Sequence, residues 1–76
     1  MKYRAILTTA AHHHEADGPD DATAVRRVLA DSIYMRTMDP ARVSLSVFRV
    51  YPDPDNRLPA ELAYTGSLRA YQIATS

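Results

Sequence analysis

Residues 20–38, DDATAVRRVLADSIYMRTM, are the one long stretch of this chain that repeats at helical spacing. Ala22, Val25, Leu29, Ser32, Ile33 and Arg36 fall on a stripe flanked by Val28, which makes an amphipathic helix of about five turns. Asp20 stands where a side chain can accept from the orphan N–H groups of the first turn, and Asp21 adds favourable charge there. Asp39-Pro40 closes the stretch, because a residue before proline avoids the α region. The spacing predicts a helix over 21–38. A single helix can cover only one face of a sheet, and this limits what the remaining residues can build.

Those residues read as strands and connections. KYRAILTT, 2–9, alternates roughly, with Tyr3, Ala5 and Leu7 on one side. Residues 10–20 are polar, hold three consecutive histidines and end in a Gly18-Pro19 breaker; they read as a loop. RVSLSVFRVY, 42–51, alternates clearly, with Val43, Leu45 and Val47 on one side and Ser44, Ser46, Phe48 and Val50 on the other. PDPDNRLP, 52–59, is a proline-rich turn, with Asp53 and Asp55 as turn formers. The last segment reads as a strand over 62–73, since Tyr, Thr, Leu and Ile recur and Gly66 would weaken a helix. A short helix over 60–64, opened by Pro59, is the alternative. The order strand, helix, strand, strand implies an α+β fold. It is a small two-layer β-α-β-β sandwich: a three-stranded mixed sheet, with a parallel crossover and one amphipathic helix on one face.

A chain of 76 residues makes one domain with a thin core. It has no cysteine, which excludes disulfides, thiolate zinc sites and thiol catalysis. Nine basic residues balance nine acidic ones, so the totals lack the basic excess typical of nucleic-acid binders. The apolar run of the N-terminal MKYRAILTTA is too short for a signal core or a membrane span, and the expected location is cytoplasmic. Arginine outnumbers lysine eight to one and alanine supplies twelve residues, a bias that points to a GC-rich genome such as an actinobacterium or its phage.

Two surfaces are candidates for contact with a partner. An outer sheet face bearing Phe48, Val50, Tyr64 and Tyr71 would be left uncovered by the single helix, and such faces tend to be interaction sites. Arg27, Asp31, Tyr34 and Met38 line up on the outer side of the expected helix, and Tyr, Met and Arg are enriched in interface cores.

The histidines raise the question of a metal. His12 and His14 share a side of an extended chain, and Glu15 could add an oxygen, as in His-X-His zinc geometry. Against this, three consecutive histidines do not converge easily, and a loop ending in Gly-Pro organises ligands poorly. General-base catalysis by a histidine would need an oriented partner and a pocket. No P-loop, nucleophile elbow or HExxH motif is present. The expectation is a non-enzymatic protein-binding or regulatory module that needs no cofactor. Its expected partner is itself, as a homodimer, or a host protein, as in a phage or bacterial accessory protein. The alternative is a nucleic-acid binder using Arg26, Arg27, Arg42, Arg49 and Arg69 with sheet tyrosines for stacking. A metal-binding histidine loop comes third.

Overall fold

The structure is a computed structural model that describes residues 2–32, 37–52 and 60–75. Among the described residues it is a small α+β fold with one four-stranded antiparallel sheet and two helices. The strands are β1 (Lys2–Thr8), β2 (His13–Gly18), β3 (Ser44–Val50) and β4 (Glu61–Ser67), in the order β2-β1-β3-β4. The helices are α1 (Asp21–Asp31) and α2 (Leu68–Thr75), with a 3-10 turn at Pro40–Arg42. Among the described residues no helix is long and apolar enough to cross a membrane.

Three expectations are corrected. First, residues 13–18 are a strand and not part of a loop. Thr9 N–H donates to the His12 carbonyl at 2.9 Å, and the His12 N–H donates to Thr9 Oγ1 at 3.1 Å. This tight turn folds β2 back along β1, from Thr8 opposite His13 to Tyr3 opposite Gly18. The sheet therefore gains a strand, and every pairing in it is antiparallel; α1 leads from β2 to β3, with β1 lying between them.

Second, α1 stops at Asp31, well short of residue 38. Its start is as expected: the Thr23 N–H donates to Asp20 Oδ1 at 2.7 Å. At the other end the Ser32 N–H donates to the Leu29 carbonyl at 3.3 Å, a tightened last turn. Asp and Ser compete with the backbone for hydrogen bonds, which makes Asp31-Ser32 a weak place to continue a helix.

Third, the last strand ends at Ser67 and the chain turns into α2. The Ser67 hydroxyl accepts from the Ala70 N–H at 3.0 Å, an N-terminal capping contact, and the Leu68 N–H donates to the Val43 carbonyl at 2.8 Å. Leu68 and Tyr71, three residues apart, bury the inner side of α2. The alternative of a helix over 60–64 fails too, since residues 61–64 belong to β4. Residues 53–59 of the expected proline-rich turn lie outside the described residues.

Both helices sit on one side of the sheet. Ala5 and Leu7 of β1 and Leu45 and Val47 of β3 point to that side, with Val43 just before β3. They pack with Ala24, Val25 and Val28 of α1 and Leu68 and Tyr71 of α2 in one core cluster. Leu7, Val28, Leu45 and Val47 are fully buried. Gly18 allows α1 to approach: a Cβ there would lie 2.7 Å from the backbone nitrogen of Ala24.

Candidate functional site

The other side of the sheet has no helix over it among the described residues. The register fixes what it presents. Residues directly opposite share a face, so one row reads Asp17, Arg4, Phe48, Leu62 and the next Glu15, Ile6, Ser46, Thr65. Val50 lies beside Lys2 at one end, and Thr8 lies between His13 and Ser44 at the other. Ile6, Phe48, Val50 and Leu62 thus form an apolar centre on β1, β3 and β4. Ile6, Phe48 and Val50 are half-buried, and Leu62 is 51% exposed.

Charge is confined to the β2 side of this face and is neutralised there. Arg4 grips Asp17 through Nε–Oδ1 at 2.9 Å and Nη2–Oδ2 at 3.4 Å, and Lys2 Nζ lies 3.2 Å from Asp17 Oδ2. The hydrogen bond from Arg4 holds the Asp17 carboxyl below the usual carboxylate range, with a smaller contribution from Lys2 and some opposition from burial. His13 Nε2 lies 3.3 Å from Glu15 Oε2. Thr65 and Ser46 hydroxyls sit 3.5 Å apart, so the polar residues near the apolar centre also engage one another.

Of the four residues expected on this face, Phe48 and Val50 lie there. Tyr64 and Tyr71 do not. Tyr64 pairs with Val47 and faces the helix side, where its ring meets Tyr71 of α2 edge-on at 5.2 Å. The Tyr64 hydroxyl donates to the Ser67 carbonyl at 3.0 Å, across Gly66. Tyr71 is part of the core, and burial, with Asp21 nearby, pushes its hydroxyl pKa up. Ile6 and Leu62 were missed. The register that brings them beside Phe48 depends on the hairpin at residues 9–12 and on the bulge in β4, which periodicity alone does not reveal.

The expected stripe on the helix is broken up. Arg27 and Asp31 are exposed on α1, and Arg27 Nη1 donates to the Asp17 carbonyl at 3.0 Å, tying α1 to β2. Met38 lies beyond the end of α1 and packs against the core, and Tyr34 lies outside the described residues. Arg26 and Arg27 sit on α1, Arg42 on the 3-10 turn, Arg49 on β3 and Arg69 on α2. Arg49 is engaged by Glu61 at 3.4 Å. With Tyr64 and Tyr71 turned to the core, neither offers a ring face for base stacking on the open side of the sheet.

His12, His14 and Glu15 do not converge. His14 stands opposite buried Leu7 on the helix side, while Glu15 stands opposite Ile6 on the open side. Among the described residues no group of three His, Asp or Glu side chains is close enough to hold a metal ion. Between the helices runs an open groove of about 520 Å³, lined by Val25, Arg26, Leu29 and Ala30 of α1 and by Tyr71 and Thr75 of α2. The chain matches no known family model, no curated protein and no solved structure.

Proposed function

We propose that this chain is a small protein-binding module that works through the open face of its sheet. The observation that carries this is the arrangement of that face. Four apolar side chains, Ile6, Phe48, Val50 and Leu62, lie together on one side of the sheet, and both helices of the described residues lie on the other. Leaving apolar surface wet is costly, and contiguous apolar patches tend to be contact sites. The chemistry of the partner follows from the charges. Among the described residues the two cations of the face, Lys2 and Arg4, equal its two carboxylates, Asp17 and Glu15, so the face asks for no compensating charge. It suits an apolar, nearly neutral protein surface better than phosphate or an acidic peptide.

The test is capture from a GC-rich bacterial lysate by wild type and by F48S, L62S and R26S, each first checked for folding by circular dichroism, with and without nuclease. The expected result is a protein captured by wild type and R26S, lost with F48S and L62S, and indifferent to nuclease. Capture that survives F48S and L62S would refute the open face as the working surface. Capture that disappears with nuclease would favour nucleic acid.

A further inference from the structure

The sheet ends on two unlike edges. β2 carries His13, Glu15 and Asp17 on its open-side positions, and charged residues are a common device for keeping an edge from pairing. β4 has no charge after Glu61 and no proline: its remaining residues are Leu62, Ala63, Tyr64, Thr65, Gly66 and Ser67. Leu62, Ala63, Thr65 and Gly66 are exposed, and among the described residues β4 pairs with β3 alone. Its outer row of N–H and C=O groups calls for an extended strand.

We propose that this strand is β4 of a second copy, joined antiparallel to give one continuous eight-stranded sheet. Geometry and charge select it. When two identical antiparallel strands meet about a two-fold axis with their faces kept, residues i and j stand opposite each other with i + j constant and even. The bulge at Ala63 puts Leu62 and Gly66 on opposite faces, so the pairing is confined to the regular run that ends at Ser67, and its axis falls at Thr65. Thr65 then faces Thr65 on the open side and Tyr64 faces Gly66 on the helix side, while Glu61 stands outside the paired run, so no carboxylate meets another. The same operation fails on β2. Its two centres that keep most of the strand paired are Glu15, which sets Glu15 against itself, and Ala16, which sets Glu15 against Asp17 twice. Like charges directly opposite are destabilising.

The bulge in β4 shapes the pairing. Opposite Val47 and Phe48 the partners step from Tyr64 to Leu62, so Ala63 is the extra residue and the ribbon twists more there. The run from Tyr64 to Ser67 is regular against β3. Joining the edges also joins the open faces. One face, four strands wide and seven residues long, spans roughly 450 Å² at about 4.8 Å per strand and about 3.3 Å per residue. Two joined faces offer roughly 900 Å², comparable with the roughly 800 Å² that each partner contributes to a stable interface. The edge pairing stands on β4 and does not depend on what the open face binds.

A chain without cysteine gives a clean test. The variant T65C places a thiol opposite its own copy across the axis, with no second cysteine in the chain to bond with, whereas Ala63 stands opposite Ser67. Mild oxidation is expected to give a covalent dimer from T65C and monomer from A63C. Sedimentation equilibrium supplies a second readout: T65K should weaken self-association at least tenfold, and I6S, on the open face, should leave it unchanged. Absence of the covalent dimer, together with a wild type that stays monomeric at millimolar concentration, overturns the proposal. Association abolished by I6S and untouched by T65K also overturns it, since the copies would then meet face to face.

Discussion

Leu45 and Leu62 lie on neighbouring strands of one sheet, yet their truncation to alanine should have very different effects. Leu45 is fully buried at the centre of the core, beside Leu7. L45A removes buried methyl groups and leaves a cavity, at a cost of about 3 kcal/mol. A domain of this size has about 4–11 kcal/mol of stability in total, so that single change takes away a large part of it. Leu62 is 51% exposed on the open face. L62A gives up roughly half a side chain's transfer energy and leaves no cavity, a loss under about 1 kcal/mol. Urea denaturation followed by circular dichroism, at protein concentrations low enough to keep the chain monomeric, separates the two. With a slope of about 1 kcal/mol per molar urea, the midpoint should fall by about 3 M for L45A and by less than about 1 M for L62A. Equal losses would refute the assignment of the two leucines to opposite faces, and with it the open face itself.

Other perturbations test particular contacts. The Ser32 hydroxyl is buried at the end of α1 with no hydrogen-bond partner among the described residues, so S32A should raise stability by about 1 kcal/mol; thermal melting that shows a loss would contradict this. G18A drives a methyl group against the Ala24 backbone and should cost about 1–3 kcal/mol; a melting temperature equal to wild type would show that α1 can move away. Asp17 has a lowered pKa, so its contribution is complete above the unfolded value near 4 and is lost as pH falls through the folded value. Between about pH 5 and pH 3, D17N should therefore lose less stability than wild type, by about 0.2–1 kcal/mol for so exposed a pair; parallel curves would argue against the Arg4 contact. Tyr71 has a raised pKa, so its contribution holds below the unfolded value of about 10 and fades as pH rises through the folded one. Y71F should flatten the decline in stability on the alkaline side, as read by denaturation between about pH 9 and pH 11.

The parts of the fold legible in the sequence are those whose pattern matches their burial. The start of α1 follows from Asp20, whose carboxylate accepts from the Thr23 N–H. The inward set Val43, Leu45, Val47 and the outward pair Phe48, Val50 follow from strict alternation. β2 was hidden because HHEADG contains no β-branched or aromatic residue. Its inward positions His14, Ala16 and Gly18 include two small residues, and at Gly18 the reason is plain, because α1 presses on it. No periodicity of hydrophobic residues marks a strand built that way. α2 was hidden because Gly66 argued against a helix, whereas the helix begins two residues later, after Ser67. The tyrosines of the candidate site were misplaced because residues 62–73 read as one strand, whereas Tyr64 and Tyr71 sit on a strand and a helix that close on each other.

The open sheet face is tested most directly by methyl NMR of the isolated protein with a soluble paramagnetic agent. Strong attenuation is expected for the methyl signals of Ile6, Val50 and Leu62, and protection for those of Leu7, Leu45 and Val47. If Ile6 and Val50 are as protected as Leu7 in a monomeric sample, the face is covered by the chain itself and is not an open binding surface.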